Sequence, residues 1–433
     1  MQPILWDKHD KRFGSLATGI THAKVPLPVT SASSIASLTV KQPLNVAWIS
    51  EYPLEWMSDL PTAFRGLPRQ HPASWMPVLL DEFRKVPQLK LHVCVLRKNV
   101  RQSQVFEQNG VSFHVLKVPP LLRAPSFFLV DTVVLKQELK RIQPDLVHAW
   151  GTERGAALVA SRLGYPYLVT IQGLLTWYRE LIPFSTHDRF ATLLEKVGLR
   201  RARFVTTEST FTTGYLRQSF PHLTVIQAEH APNPIFFQVQ RRPQSAPVRF
   251  IAIGTLDFRK GSDLLMRGLN ELTPDFPFEL LVIGGSQGSI IDSLRPQLSA
   301  EFWRRVNFKV NLSPAEVAAE LSTATIKVLP TRADTSPNAV KESVVAGVPA
   351  VASRIGGIPD YVFSGRNGIL FPSGNLPALV DSLRNAVNHP LLGKGQVDAS
   401  CLSETREYLS PVRMKQRFLE AYHRVLQRTP DTL

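Results

Sequence analysis

From residue 44 onward, apolar runs of five to eight residues alternate with stretches of helical periodicity. LNVAWIS (44–50), LKLHVCVL (89–96), VSFHVLKV (111–118), DLVHAW (145–150), YLVTIQG (167–173) and FVTTES (204–209) read as strands, with helices over 76–86 and 132–142 between them. A connector rich in Pro and Arg, FQVQRRPQSAP (237–247), precedes a second series: VRFIAIG (248–254), FELLVIGG (278–285), VNFKVNL (306–312), TIKVLPT (325–331) and PAVAS (349–353). Helices are predicted there at 261–271, 314–321, 337–346 and 376–388. This alternation predicts α/β architecture with two doubly wound parallel sheets, and ligands bind such sheets beyond the carboxyl ends of their strands. The expected organisation is a flexible segment 1–42, an N-terminal domain 43–238, a C-terminal domain 239–410, and a helix in 411–433 that packs back toward the first domain.

Composition narrows the partners. Lys and Arg number 50 against 35 Asp and Glu, a net charge of +15, of which residues 1–240 carry 27 minus 17, or +10. Such a surface attracts phosphate-bearing molecules, among them nucleotides and anionic lipid. No aromatic-basic motif for nucleic acid accompanies the charge. The two cysteines, Cys94 and Cys401, have no metal-ligand spacing and form no disulfide framework. No run reaches the length needed to span a bilayer, and the first residues lack the apolar core of a signal peptide, so a cytoplasmic location is expected.

Candidate chemistry concentrates in DTSPNAVKESVVAGVPAVASRIGGIPD (334–360). Asp334 follows a strand by a few residues; Ser336 reads as an N-cap, Pro337 as the first helical residue and Gly347 as the stop. The first turn, with Ser336, Asn338 and Ala339, offers backbone N–H groups and the positive end of a helix dipole to a phosphate. Asp334 and Glu342 stand on either side as hydrogen-bond acceptors for hydroxyl groups. Alone, this is a capped surface helix with a solvated Glu; the Gly-Gly, Ile-Pro-Asp and Asn-Gly elements that follow set it apart.

Residues 331–372 closely resemble the donor-binding region of the retaining, GT-B-fold glycosyltransferases of family four, the group 1 type. That signature is a carboxylate, seven residues, then Glu, followed by A-G-x-P-V-V-A-x-x-x-G-G-x-x-E. The resemblance extends to IGTLDFRKGSDLLMRGL (253–269), LLVIGGSQ (280–287), HAPNPIF (230–236), QPDLVHAWGTE (143–153) and YLVTIQGLL (167–175). It implies a GT-B fold, two Rossmann-like domains facing a central cleft, and a nucleotide-sugar donor, UDP- or GDP-linked. By position it implies that Glu342 holds the ribose, Asp334 contacts the donor sugar, and Lys260 with Arg259 neutralises the diphosphate. Gly254 lets the backbone approach the nucleotide. The family element T-x-H-G places Gln172 at the donor sugar.

Four positions depart from the family pattern. Asp334 replaces Glu, Pro337 replaces Gly, Thr255 replaces the Arg of G-R-L, and Gln172 replaces His. Glutamine hydrogen-bonds but transfers no proton, which suits a retaining front-face reaction in which the leaving phosphate takes the acceptor proton. Near RQHPASWMPVLLDEF (69–83), Ala73 and Ser74 stand where the family has a glycine loop over the diphosphate.

Acceptors in the family bind the N-terminal domain. His148 and Glu153 are expected to face the cleft, and Arg179 to lie on the acceptor side. The segments 118–130, around Arg123, and 174–184 can each pack internally or dip into a membrane interface. The expected activity is metal-independent transfer of a sugar to a lipid-linked or polysaccharide acceptor in surface-glycan synthesis, peripheral on the inner membrane face and without a cofactor. Bacterial surface-polysaccharide enzymes carry similar variants. The rival readings are a sugar-nucleotide epimerase on the same fold and a non-catalytic sugar- or nucleic-acid-binding protein.

Overall fold

A computed structural model describes residues 43–427 apart from 58, 68–72, 245 and 286–289. The segment 1–42, the start of 69–83, the end of LLVIGGSQ and residues 428–433 lie outside the described residues.

The first sheet contains β1 (Leu44–Ser50), β2 (Leu89–Arg97), β3 (Gln104–Gln108), β4 (Val111–Lys117), β5 (Leu146–Trp150), β6 (Tyr167–Thr170), β7 (Phe204–Thr207) and β8 (Thr224–Gln227). Their order is β3-β4-β2-β1-β5-β6-β7-β8, parallel except for β3, which runs antiparallel to β4. Period-two alternation feeds two cores. In β1, Val46 and Trp48 pack with Leu79 and Phe83 on one face, while Ala47 and Ile49 pack with Leu135 and Leu158 on the other. A strand covered on both faces is apolar over most of its length, which is why LNVAWIS carries so legible a signal.

The second sheet contains β9 (Val248–Ile253), β10 (Phe278–Ile283), β11 (Val306–Lys309), β12 (Ile326–Leu329), β13 (Ala350–Ser353) and β14 (Gly368–Phe371) in the order β11-β10-β9-β12-β13-β14, all parallel. The chain order reverses between β9 and β12, the switch point where open sheets take their ligands. On β12, Ile326 and Val328 enter one core with Leu264 and Leu379; Leu329 enters the other with Val340 and Val344.

Strands β3, β8 and β14 have no counterpart among the sequence-predicted runs. All three lie at sheet edges and are partly exposed, so burial on both faces does not force a long apolar run on them: β3 is QVFEQ, and β8 and β14 are four residues each. The helix Pro411–Gln427 leaves the second domain and completes the core of the first, where Met414, Phe418 and Tyr422 pack with Trp48 and Phe83. There Trp48 Nε1 donates to Tyr422 Oη at 2.9 Å.

Candidate functional site

Two loops at the switch point are fastened together. The loop after β9 contains Gly254, at φ +133°; the loop after β10 opens at Gly284, where a Cβ would lie 2.1 Å from the Gly254 carbonyl oxygen, so only glycine allows the two loops this close. Asp257 Oδ1 accepts from the Lys260 backbone at 2.6 Å, shaping the turn into the helix Ser262–Glu271. Arg332, in the loop after β12, forms a bidentate pair with Asp263, both contacts at 2.7 Å, and its backbone N–H donates to Arg259 O at 2.7 Å.

This clasp brings three sequence-predicted residues together. Lys260 Nζ lies 2.5 Å from Asp334 Oδ2, and Arg259 Nη1 lies 3.5 Å from the same oxygen and 3.0 Å from Ala333 O. Ser336 N donates to Asp334 Oδ1 at 3.2 Å. Burial works to raise the Asp334 pKa, but Lys260 and Arg259 overcome it and hold the carboxyl below the usual range.

The helix runs over Asn338–Val345 with Pro337, not Ser336, as its N-cap, so the predicted cap moves by one residue. A proline in that place supplies no side-chain acceptor, and the cap makes no side-chain hydrogen bond. Val340 and Lys341 N–H both donate back to Pro337 O. The N–H groups of Asn338 and Ala339 find no acceptor among the described residues and remain open to an anion. Glu342, one turn further, keeps part of its surface exposed, and no hydrogen bond among the described residues reaches its carboxylate. Burial raises it to about 7, against the pull of Lys327 and Lys341.

The first domain closes on this cluster. Tyr178 Oη accepts from Thr335 N at 3.1 Å, and Thr335 Oγ1 lies 3.5 Å from Gln172 O. The Arg259 guanidinium sits 5.7 Å from the Tyr178 ring centre. Gln172 and Glu153 both border Gly151: a Cβ there would lie 3.2 Å from Gln172 Oε1 and 3.1 Å from Glu153 Oε2. Burial raises the Glu153 pKa, opposed by hydrogen bonds from backbone N–H groups. The Gly-Gly loop makes the junction possible, since a Cβ on Gly356 would meet Asp334 O at 1.8 Å and one on Gly357 would meet Ser209 Cβ at 2.5 Å.

Two predicted residues stand elsewhere. His148 is fully buried and does not face the cleft: its Nδ1 lies 2.8 Å from Tyr422 Oη and its Nε2 2.6 Å from Thr170 Oγ1. Its strand position turns it toward the helix Pro411–Gln427, so both ring nitrogens are taken by the core. Arg179 is exposed on the helix Leu175–Leu181 and borders a surface depression of about 650 Å³ with Glu180, Lys196, Arg200 and His222, none of which belongs to the Asp334 cluster.

Sequence reasoning missed the residues that join the domains. Lys341 is fully buried with Nζ 2.5 Å from Glu208 Oε2 and 3.3 Å from His230 O, while His230 Nδ1 lies 3.1 Å from Glu208 Oε1. Asp360 Oδ2 accepts from Thr210 N at 2.8 Å, again across the domains. The available signal was Lys341 itself, a charge inside an otherwise apolar helix face.

Two facing Rossmann-like domains whose cleft gathers an anion-ready helix start, two cations and two carboxylates define the GT-B class. Two family models cover most of the chain: "Glycosyl transferase 4-like domain" over residues 78–228 and "Glycosyl transferases group 1" over 247–389. The chain belongs to the group 1 glycosyl transferases of this fold. Sucrose-phosphate synthase from Thermosynechococcus elongatus shares the fold at TM-score 0.73, with 16% identity, 90% of this chain and 100% of that one covered. Anabaena HepE, solved in complex with UDP and glucose, superposes at TM-score 0.63 with 16% identity, covering 88% and 99%. Mycobacterium tuberculosis glycogen synthase is 27% identical over 163 residues, 37% of this chain and 39% of that protein, so the match spans about two-fifths of that relative.

Proposed function

We propose that this protein transfers a sugar, with retention of anomeric configuration, from a nucleotide-sugar donor to a lipid-linked or growing glycan acceptor in surface-glycan synthesis. The observation that carries this reading is the cluster at the switch point: Lys260 and Arg259 around Asp334, beside the N–H groups of Asn338 and Ala339 and, one turn away, a Glu342 carboxylate, none of which is hydrogen-bonded among the described residues.

In this reading Glu342 accepts hydrogen bonds from the ribose hydroxyls and Asp334 from the donor sugar. As the bond from the sugar carbon to the diphosphate breaks, negative charge grows on the leaving oxygen, and Lys260, Arg259 and the helix start stabilise it without a metal ion. The acceptor oxygen bonds to the same carbon from the same face and passes its proton to the leaving phosphate. Gln172 orients the sugar and takes no proton.

The acceptor is assigned to the mouth of the first sheet, where Ser50, Glu51, Arg123, Asp131, Trp150 and Arg154 line a small cavity. Its charges are already paired: Arg123 lies 2.9 Å from Asp131, and Arg154 pairs with Glu51. Paired guanidinium and carboxylate groups suit a hydroxyl-rich acceptor better than a highly charged one. Leu121, Leu122 and Leu129 are 81%, 57% and 54% exposed beside it, an apolar face suited to an anionic membrane surface. Among the described residues no helix is long and apolar enough to cross a membrane.

Thermal unfolding with millimolar UDP, GDP or ADP tests the donor site. A ligand at about a hundred times its Kd adds roughly 2.7 kcal/mol. One nucleotide should stabilise the wild type and not Glu342→Ala; no shift with any of the three overturns the reading.

A further inference from the structure

The turn 257–260, which carries Arg259 and Lys260, is tied to the loop after β12 by Arg332, a residue that stands two places before Asp334. The Arg332 guanidinium uses three N–H groups at once: Nη1 donates to Phe258 O at 2.8 Å and to Asp263 Oδ1 at 2.7 Å, and Nη2 donates to Asp263 Oδ2 at 2.7 Å. Its backbone N–H donates to Arg259 O at 2.7 Å, an oxygen that also accepts from Thr331 Oγ1 at 3.0 Å. The Phe258 ring centre lies 3.9 Å from the guanidinium. Asp263 belongs to the first turn of the helix Ser262–Glu271, so one planar fork joins the start of the turn to the helix that follows it. The Arg332 and Asp263 side chains are only 16% and 22% exposed, which separates this pair from a solvent-screened surface contact.

What this fixes is the starting point of a flexible side chain. Lysine carries its charge on a four-carbon stem, so the reach of Nζ is decided by where its backbone stands. The Lys260 backbone stands at the end of the tied turn, and a Cβ on the next residue, Gly261, would lie 1.9 Å from Pro330 O, so the turn sits directly against the end of β12. From there Lys260 Nζ meets Asp334 Oδ2 at 2.5 Å and Arg259 Nη1 meets Ala333 O at 3.0 Å. Arg332 thus holds both sides of the cluster, the loop of Asp334 through the chain and the turn of Lys260 through hydrogen bonds. A displacement of about 1 Å in such a contact is enough to cost about 10²-fold in rate.

We propose that Arg332 is a positioning residue of the donor site: its guanidinium, held between Asp263 and the Phe258 carbonyl, sets where Lys260 and Arg259 meet the diphosphate of the donor. This rests on the donor-site reading above. Asp263 takes up the charge of Arg332, so the role is one of geometry and not that of a third cation for the phosphates. Lysine cannot replace it, because a single ammonium does not grip a carboxylate with two parallel bonds.

The test is the affinity ratio between a nucleoside diphosphate and its monophosphate, measured by calorimetry at pH 8 without divalent cations, for UDP against UMP, GDP against GMP and ADP against AMP. Contacts to base and ribose cancel in this ratio, so a general loosening of the fold does not move it. The wild type should favour one diphosphate several-fold, and Lys260→Ala should bring that ratio close to one. Arg332→Met should lower it several-fold, and so should Arg332→Lys, which keeps the charge and loses the fork. Asp263→Asn separates field from geometry by sign: removing a negative charge near the cations strengthens diphosphate binding through the field alone, whereas a lost tie weakens it, and weakening is the expected result. Adding Arg332→Met to Lys260→Ala should change the ratio no further. Should Arg332→Met fail to fold, as thermal unfolding without ligand will show, Arg332→Lys and Asp263→Asn carry the test. If Lys260→Ala collapses the ratio while either Arg332→Lys or Asp263→Asn keeps or raises it, the role of Arg332 is overturned and the donor site stands. If no nucleotide binds the wild type, or Lys260→Ala leaves the ratio unchanged, both are overturned.

Discussion

Lys341 and Glu208 form a buried ion pair, 2.5 Å between Nζ and Oε2, that joins the donor-side helix of the second domain to the end of β7 in the first. Burial works to raise Glu208, but His230 and Lys341 prevail and hold it below the usual carboxyl range. The helix that presents Asn338, Ala339 and Glu342 is thus anchored to the opposite domain by the residue next to Glu342.

Breaking that anchor leaves a buried charge without its partner. Lys341→Met should destabilise the fold by about 3–5 kcal/mol, the usual cost of removing one member of a buried pair. Chemical denaturation at pH 7 measures it, and Lys341→Met combined with Glu208→Leu should recover part of the loss. Because the folded Glu208 pKa is depressed, its contribution is present above the unfolded carboxyl value and fades as pH falls through the folded one.

Lys260→Ala should lower the rate of sugar transfer by about 10²–10³-fold, the cost of deleting a donor aimed at developing charge. Single-turnover transfer with saturating donor checks this. The same variant removes the closest cation from Asp334, so the Asp334 carboxyl should titrate at higher pH, a shift visible by NMR of the labelled side chain.

Lys327 predicts a pH dependence of stability. Its folded pKa of about 7 lies below the ordinary lysine value of 10.5, so across that window the unfolded chain binds more protons than the folded one. Stability attributable to this residue therefore climbs with pH from about 7 upward, by up to about 1.4 kcal/mol per pH unit. Urea denaturation at pH 7, 8 and 9 should show the climb in the wild type and its loss in Lys327→Met.

The exposed Leu121 and Leu122 make a membrane prediction. Replacing both by Asp should weaken sedimentation with vesicles containing anionic lipid by several-fold while leaving nucleotide stabilisation intact. Equal sedimentation of wild type and variant would remove the membrane face from the proposal.

The central strands were legible because burial on both faces forces apolar runs such as LNVAWIS and FELLVI. The cluster of Lys260, Arg259 and Asp334 was legible because loops at strand ends carry ordered motifs. His148 was misplaced for a physical reason: period two tells which residues share a face, not what covers that face, and here the cover is a helix from more than 260 residues downstream. Lys341 and Lys327 were hidden by the same rule, which treats the positions they fill as apolar core.

The return of the helix Pro411–Gln427 to the first domain also sets the order of folding during synthesis. Trp48 and His148 both wait for Tyr422 as their hydrogen-bond partner, and Phe418 fills the space between neighbouring rings. Domains generally fold as they emerge, the first made being the first complete. The apolar face of the first domain that this helix covers is completed only once residues 411–427 have been made, so a chain stopped before residue 411 should be prone to aggregation.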